Sequence, residues 1–414
     1  MLIQGSVIQS FVLDLGRIAL ILGLILFLHR KGLKIGYVML ISSGALACFY
    51  GMDMSRLFLT IKAAATSRIA ITLLLSLSLI RIFELVLREQ NILGGMMDIV
   101  KKRVRFRKTV MISMPLLIGM LPSLGGAYFS APMVREATEG TGMSNEEKAF
   151  INYWFRHPWE YILPLYPGIV FASAVSGIGL NRIVLANISC AAMMILTGFL
   201  FSMRGAGRTA AAVQGNGKEL RPARDRAWVS FVPISAVLVL VMIGHLELHY
   251  ALFMVLIPLF IYYRYAAARI VQALRYGFSS EVILMVAGIM LFKETLEASG
   301  AVKDLSKFFL AHGVPVVPLF CALPFIAGML TGHTVGFVGS TFPLLVTIAG
   351  KASPSLVSLA FAAGFLGVLL SPVHLCLILT REYFAAGLPG IYRKMIPAGI
   401  MIFAVALVQY FFGR

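Results

Sequence analysis

Long runs of apolar residues recur along the whole chain, and they limit the folds that it can adopt. Many of them could cross about 30 Å of hydrocarbon as a helix that rises about 1.5 Å per residue. Hydrophobic residues make up 59% of the sequence and charged residues 13%. Inside a bilayer the backbone must satisfy its own hydrogen bonds, which helices do. The sequence therefore predicts an all-α polytopic membrane protein. The plain runs lie at about 7–28, 35–52, 66–88, 181–203, 228–246, 250–264, 278–297 and 395–413.

An apolar motif with Pro and Gly at fixed positions occurs twice. Met114-Pro-Leu-Leu-Ile-Gly-Met-Leu121 returns as Leu323-Pro-Phe-Ile-Ala-Gly-Met-Leu330, which is 209 residues later. The same offset of 209 residues relates further pairs of residues upstream, and the offset becomes a few residues larger downstream. A membrane protein with two such copies is typical of transporters built from structural repeats.

Each copy contains two segments in which a continuous helix is not expected. The Gly-rich segments at about 109–137 and 314–346 are long for one crossing and are interrupted by Pro or Gly, which predicts re-entrant hairpins. The segments at about 150–178 and 354–380 contain prolines inside apolar sequence. We expect these two to be full crossings with a break in the middle.

The distribution of basic residues predicts the domain layout and the orientation. Residues 1–203 form a first repeat, 204–227 a basic cytoplasmic linker, and 228–414 a second repeat. With the amino terminus outside, the cytoplasmic loops hold 21 Lys and Arg residues and the opposite loops hold 7, as the positive-inside rule requires. The predicted location is the inner (cytoplasmic) membrane. Five crossings separate each segment from its copy, so the two repeats are expected to be inverted, with ten crossings and two hairpins in all.

The two hairpin tips are the first candidate binding region. Broken helices leave N–H and C=O groups unpaired, and a bound ion, substrate or water usually pairs with them. Helix N-termini favour an anion, and free carbonyls favour a cation such as Na⁺. Alternatively, the small residues only allow helices to pack closely. The tip candidates are Ser123, Gly125, Gly126, Thr331, Gly332, His333 and Thr334.

Glu160 and His374 are the second candidate pair, because they occupy equivalent positions in the two Pro-broken segments. Ionisable residues within the membrane are costly and commonly functional. Two alternatives stay open: Glu160 could pair with Arg156 one turn earlier, and His374 could be a packed core histidine.

Several function classes are excluded by what the sequence lacks. It contains no phosphate-binding Gly-x-x-x-x-Gly-Lys motif, no His-Glu-x-x-His and no Ser-centred elbow, so we expect no enzyme and no cofactor. The four cysteines lie singly in apolar segments without metal-type spacing, and no metal ligands are assigned. The net charge of +18 comes from short loops between apolar runs, which argues against nucleic acid as a partner.

Four sequence stretches resemble an uncharacterised prokaryotic family of integral membrane proteins grouped with the ion transporter superfamily. The stretches are Pro122-Ser-Leu-Gly-Gly-Ala-Tyr-Phe-Ser-Ala-Pro132, His157-Pro-Trp-Glu160, Gly328-Met-Leu-Thr-Gly-His333 and Ser371-Pro-Val-His374. That superfamily includes divalent anion/sodium symporters and gluconate and citrate permeases. The resemblance implies inverted repeats with opposed hairpins, an elevator-type transport domain and a homodimer. The Ser-Asn-Thr tip motif of the dicarboxylate symporters is absent from both hairpins.

From the sequence, the expected function is ion-coupled secondary transport of a small anionic solute across the lipid bilayer, with H⁺ or Na⁺ as the coupling ion. Two other functions stay open. The first is a channel, and the second is a membrane-embedded enzyme that uses Glu160, His157 and His374.

Overall fold

The computed structural model describes residues 2–92, 94–96, 107–122, 126–202, 227–300 and 315–413. Every regular element in these ranges is helical. The helices of the first half are α1 (Leu2–Arg30), α2 (Ile35–Phe49), α3 (Met54–Thr66), α4 (Arg68–Glu89), α5 (Arg107–Ile118), α6 (Gly126–Thr138), α7 (Asn145–Trp154), α8 (Trp159–Ile162), α9 (Pro167–Ser176) and α10 (Leu180–Ser202).

A 3₁₀ turn at Ala227–Phe231 opens the second half. Its helices are α11 (Val232–Met242), α12 (Leu248–Tyr262), α13 (Ala267–Gly277), α14 (Ser280–Ser299), α15 (Val317–Thr331), α16 (Thr334–Ala349), α17 (Pro354–Leu370), α18 (Leu375–Phe384) and α19 (Leu388–Phe412).

Four helical segments of the described chain are long and apolar enough to cross a membrane. They are α4, α10, α17 with α18, and α19. Several shorter apolar helices, α2, α11, α12, α15 and α16 among them, accompany these four. This agrees with the predicted helical, membrane-embedded class.

Two segments predicted as loops are helices instead. The stretch from Asp53 to Arg68 contains α3, whose first turn is capped by the Asp53 carboxylate accepting from the Arg56 N–H at 2.6 Å. The predicted loop at 264–275 contains α13, which buries Ala273 and Gly277 and leaves its arginines exposed. In both cases the helix is short and amphipathic, and its composition resembles that of a loop when it is read only for charge.

Helix α19 begins at Leu388, within the stretch predicted as a loop before 395. Pro389 at its first turn needs no backbone donor there, so the proline starts the helix rather than preventing it.

The helices break where Pro and Gly predict it. The first broken segment is divided into α7, α8 and α9, with turns before Pro158 and before Pro167. The second is divided into α17 and α18 at the turn from Ser371 to His374. These turns lie inside the protein, and they place polar side chains in its interior.

Helices α15 and α17 approach so closely that their glycines face backbone directly. A Cβ atom on Gly328 would collide with the Gly364 carbonyl oxygen, and one on Gly367 would collide with the Phe325 carbonyl oxygen. Small residues allow this kind of backbone contact between membrane helices. The second hairpin is therefore packed against the second broken segment along most of its first helix.

Candidate functional site

The turn between α7 and α8 brings three polar side chains into the interior. Arg156 and His157 are buried, and the Glu160 side chain is only 13% exposed. Pro158 follows His157 directly and supplies no backbone donor, so the helix cannot continue through this point. The Trp159 indole donates to the Leu116 carbonyl oxygen at 2.6 Å, and this bond fixes the turn against α5.

The turn between α17 and α18 is anchored to the second hairpin. The Ser371 hydroxyl donates to the Met329 carbonyl oxygen at 2.6 Å. The His374 Nδ1 atom lies 2.6 Å from the Gly332 carbonyl oxygen. His374 is thus held at the hairpin tip by a backbone acceptor.

The two broken segments meet through their histidines. His157 Nε2 lies 3.2 Å from His374 Nε2, although the residues are far apart in sequence. The other nitrogen of His157, Nδ1, lies 2.6 Å from the Tyr153 carbonyl oxygen in the preceding helical turn. Each imidazole is therefore oriented by one carbonyl oxygen and faces the other imidazole with its second nitrogen.

Glu160 and Cys376 complete this group, which we call the core cluster: His157, Glu160, His374 and Cys376. A Glu160 carboxylate oxygen lies 3.8 Å from His157 Nε2, and its side chain is close enough to that of Thr334 to interact with it. The Cys376 Sγ atom lies within 4.8 Å of a ring nitrogen of His157 and of a ring nitrogen of His374. The core cluster is thus formed by residues of both halves of the chain.

The second hairpin tip, residues 331–334, lies beside the core cluster. Gly332 ends α15 in the left-handed region, with φ 67°. The His333 Nδ1 atom accepts from the Gly336 N–H at 2.8 Å and so caps α16.

His29 of α1 also contacts the second hairpin tip. The Thr331 carbonyl oxygen lies 3.3 Å from His29 Nε2, and the ring of His29 contacts that of His333 edge to face. Thr334, Gly332 and His374 therefore come together, whereas the His333 ring is used as a helix cap.

At the first hairpin tip, Ser123 and Gly125 lie outside the described residues. Gly126 begins α6, and a Cβ atom there would collide with the guanidinium of Arg156. The absence of a side chain at Gly126 makes room for that guanidinium, which is close enough to Glu160 and His374 to interact with both electrostatically.

A buried amide also links the two halves. The Asn152 Nδ2 group donates to the Ala127 carbonyl oxygen and to the Thr380 hydroxyl, each at 3.1 Å. Asn152 is fully buried. It therefore joins α6, α7 and α18 one helical turn before the core cluster.

The sequence analysis named His157 only for the alternative enzyme function, and it did not include Cys376 or Asn152 among the candidate site residues. His157 precedes a proline in a broken segment, and Cys376 follows His374 by two residues, so both carried a local signal. Their proximity results from the contact between the halves, and spacing within either half does not reveal it.

A cavity of about 440 Å³ lies elsewhere, between the ends of α4, α9 and α12. Its lining includes Asn181, whose amide contacts His245 at 3.1 Å. None of its lining residues belongs to the core cluster or to a described hairpin tip.

No curated protein matches the chain. Residues 10–412, which are nearly the whole chain, match the family described as "Protein of unknown function (DUF401)", and the protein belongs to that family.

Proposed function

We propose that this protein is an ion-coupled secondary transporter for a small anionic solute. The observation that carries the proposal is the meeting of two helix breaks and the second hairpin tip around buried polar side chains. Glu160 comes from the first half, and His374 and Thr334 come from the second. Transporters built from repeats bind substrate and coupling ion at broken helices of this kind.

The order of elements supports a repeated architecture. Within the described residues, each half has two helices, a short amphipathic helix (α3 or α13), a further helix, a helix pair, a broken segment and a final helix. The short helices were not used in deriving the repeat, yet they occupy the same place in both halves. We therefore propose two inverted repeats with ten crossings, an outside amino terminus in the inner membrane and, as in the resembling superfamily, an elevator-type homodimer.

An anion would find positive charge and N–H donors at this site. The Arg156 guanidinium lies against the start of α6, and α16, which is 16 residues long, begins at Thr334. Helix N-termini carry partial positive charge and unpaired N–H groups, and these favour an anion. Thr334 also contacts Glu160, so the anion would lie next to a carboxylate.

The coupling cation is assigned to Glu160, with H⁺ or Na⁺ as the candidates. A carboxylate in a largely buried position needs a positive partner, because burying an unpaired charge is costly. Because the cation and the anion would bind at neighbouring positions, each would favour binding of the other, and the two would cross the membrane together.

The experiment has two stages. A thermal-shift screen of purified protein against organic and inorganic anions, with and without Na⁺, identifies a ligand by its stabilisation. Proteoliposomes then test whether an imposed H⁺ or Na⁺ gradient drives uphill accumulation of that ligand. We expect wild-type protein to accumulate it, and Glu160→Gln to allow at most exchange between internal and external ligand.

Glu147→Gln is the matched control, since the Glu147 side chain has 16% exposure, similar to that of Glu160, but pairs with Lys394 away from the core cluster. It should accumulate ligand as the wild type does. Downhill flux without accumulation would indicate a channel, and chemical conversion of the ligand without transport would indicate an enzyme. Wild-type accumulation by Glu160→Gln would remove Glu160 from coupling.

A further inference from the structure

The protonation of the two facing histidines follows from their partners. The Nδ1 atoms of His157 and His374 each lie 2.6 Å from a carbonyl oxygen. A carbonyl oxygen only accepts hydrogen bonds, so both Nδ1 atoms must carry the proton. In the neutral rings both Nε2 atoms then present lone pairs, and these face each other at 3.2 Å. Two lone pairs at this distance repel, and a cation that both nitrogens can bind removes the repulsion.

The distances in the cluster fit a metal ion. His157, His374 and Cys376 each offer a ligand atom, and these atoms lie within 4.8 Å of one another. In tetrahedral zinc sites with Zn–N distances of about 2.0–2.1 Å, two ligand nitrogens lie about 3.3 Å apart. The observed Nε2 separation of 3.2 Å needs almost no rearrangement for such a site.

The surroundings of the histidines are also those of metal ligands. Ligating histidines nearly always donate their other ring N–H to a carbonyl or a carboxylate, and this orients the ring. His157 does so to Tyr153 and His374 does so to Gly332. The Glu160 carboxylate lies 3.8 Å from His157 Nε2, beside the three ligand atoms but outside the group that they form. A thiolate and a carboxylate together balance the charge of a divalent ion, which lowers the cost of burying it.

We propose that His157, His374 and Cys376 bind a divalent transition metal of the Zn²⁺ type. Imidazole and thiolate donors select such ions over Mg²⁺ and Ca²⁺, which prefer oxygen ligands. The ion joins the broken segment of the first half to that of the second. The metal site does not depend on the proposed transport function, since it rests on the side-chain geometry alone.

The test uses full-length protein in detergent, stripped with a chelator and titrated with Co²⁺ as the spectroscopic probe. We expect one Co²⁺ per chain, with a thiolate-to-cobalt charge-transfer band and the strong visible bands of tetrahedral cobalt, all lost on addition of Zn²⁺. Cys376→Ser should lose the charge-transfer band. Cys321→Ser is the matched control, because Cys321 is also free and partly buried. It lies near the start of α15, whereas the hairpin tip beside the core cluster lies at the end of that helix. This variant should keep the charge-transfer band.

Three results would overturn the metal site. They are a wild-type protein without the cobalt bands, a charge-transfer band that persists in Cys376→Ser, and a Zn²⁺-loaded wild type whose X-ray absorption spectrum lacks a sulfur ligand. The last measurement needs no variant, so it holds even if Cys376→Ser does not fold. Gradient-driven transport by a protein without metal bands would remove the metal site and leave the transport function intact. Metal bands in a protein that shows no transport would support the metal site and remove the transport function.

Discussion

Replacement of Gly332 by alanine tests whether the second hairpin tip is packed against His374. Gly332 has φ 67°, and a Cβ atom there would lie 3.0 Å from a Val373 methyl carbon and 3.1 Å from the His374 backbone nitrogen. The left-handed conformation costs an alanine about 1 kcal/mol. The crowding adds about 1 kcal/mol more, at the low end of the cost of overpacking, because the backbone around His374 must shift by a few tenths of an ångström.

Gly177→Ala is the matched control for this substitution. Gly177 also ends a helix in the left-handed region, with φ 69°, but no atom lies within 4 Å of its Cβ position. Both variants pay the conformational cost of about 1 kcal/mol. Only in Gly332→Ala does the new methyl group also crowd the backbone of His374. We therefore expect this variant to be the less stable of the two by about 1 kcal/mol.

The measurement is unfolding of the purified proteins in mixed detergent with increasing SDS, supported by the midpoint of thermal unfolding. Gly332→Ala should also weaken ligand stabilisation in the anion screen, since the Gly332 carbonyl oxygen orients His374. Equal stability of the two variants would refute the reasoning, because the tip would then have free space beside His374.

Three further predictions concern the link between the halves, a helix cap and the topology. Asn152→Leu should cost about 1–3 kcal/mol in unfolding measurements, because two buried acceptors lose their donor; an unchanged midpoint would show that the amide contacts are not formed. Ser144→Ala should cost about 1 kcal/mol, since Ser144 and Glu147 cap the start of α7 reciprocally, and Ser144→Asp should recover most of it. In a cysteine-free background, Asn216→Cys should react with membrane-impermeant reagents only from the cytoplasm and Tyr250→Cys only from outside; labelling of both from one side would contradict the inverted repeats.

The helix breaks could be predicted from the sequence because their cause is local. Pro158 removes a donor wherever the chain runs, and Gly332 ends α15 in a conformation that glycine tolerates. Helices α3 and α13 were missed for an equally local reason. Both are short amphipathic helices, and their charged residues were read as those of a loop.

The site was predictable only in part. Glu160 and His374 were singled out as intramembrane ionisable residues, and both lie in the core cluster. The direct partner of His374 is His157, which the repeat alignment placed opposite Ser371. An alignment between repeats relates equivalent positions, whereas contact depends on how the halves pack. The sequence spacing therefore carried no information about the facing nitrogens.

The glycine contacts between α15 and α17 determine which distances in this protein can change. A slip of one residue along α17 is a shift of about 1.5 Å, and it would replace the glycines at these contacts with residues that carry Cβ atoms. These contacts therefore fix the register of the two helices, and we expect the turn that holds His374 to move together with the hairpin tip, to which it is hydrogen-bonded. Helix α7 is joined to this body by hydrogen bonds from Tyr153 to the Leu369 carbonyl oxygen and from Asn152 to the Thr380 hydroxyl, which can break and re-form. If the interior rearranges, we expect the Gly332–His374 distance to stay constant, whereas the separation of His157 from His374 can change only while no metal ion joins the two rings.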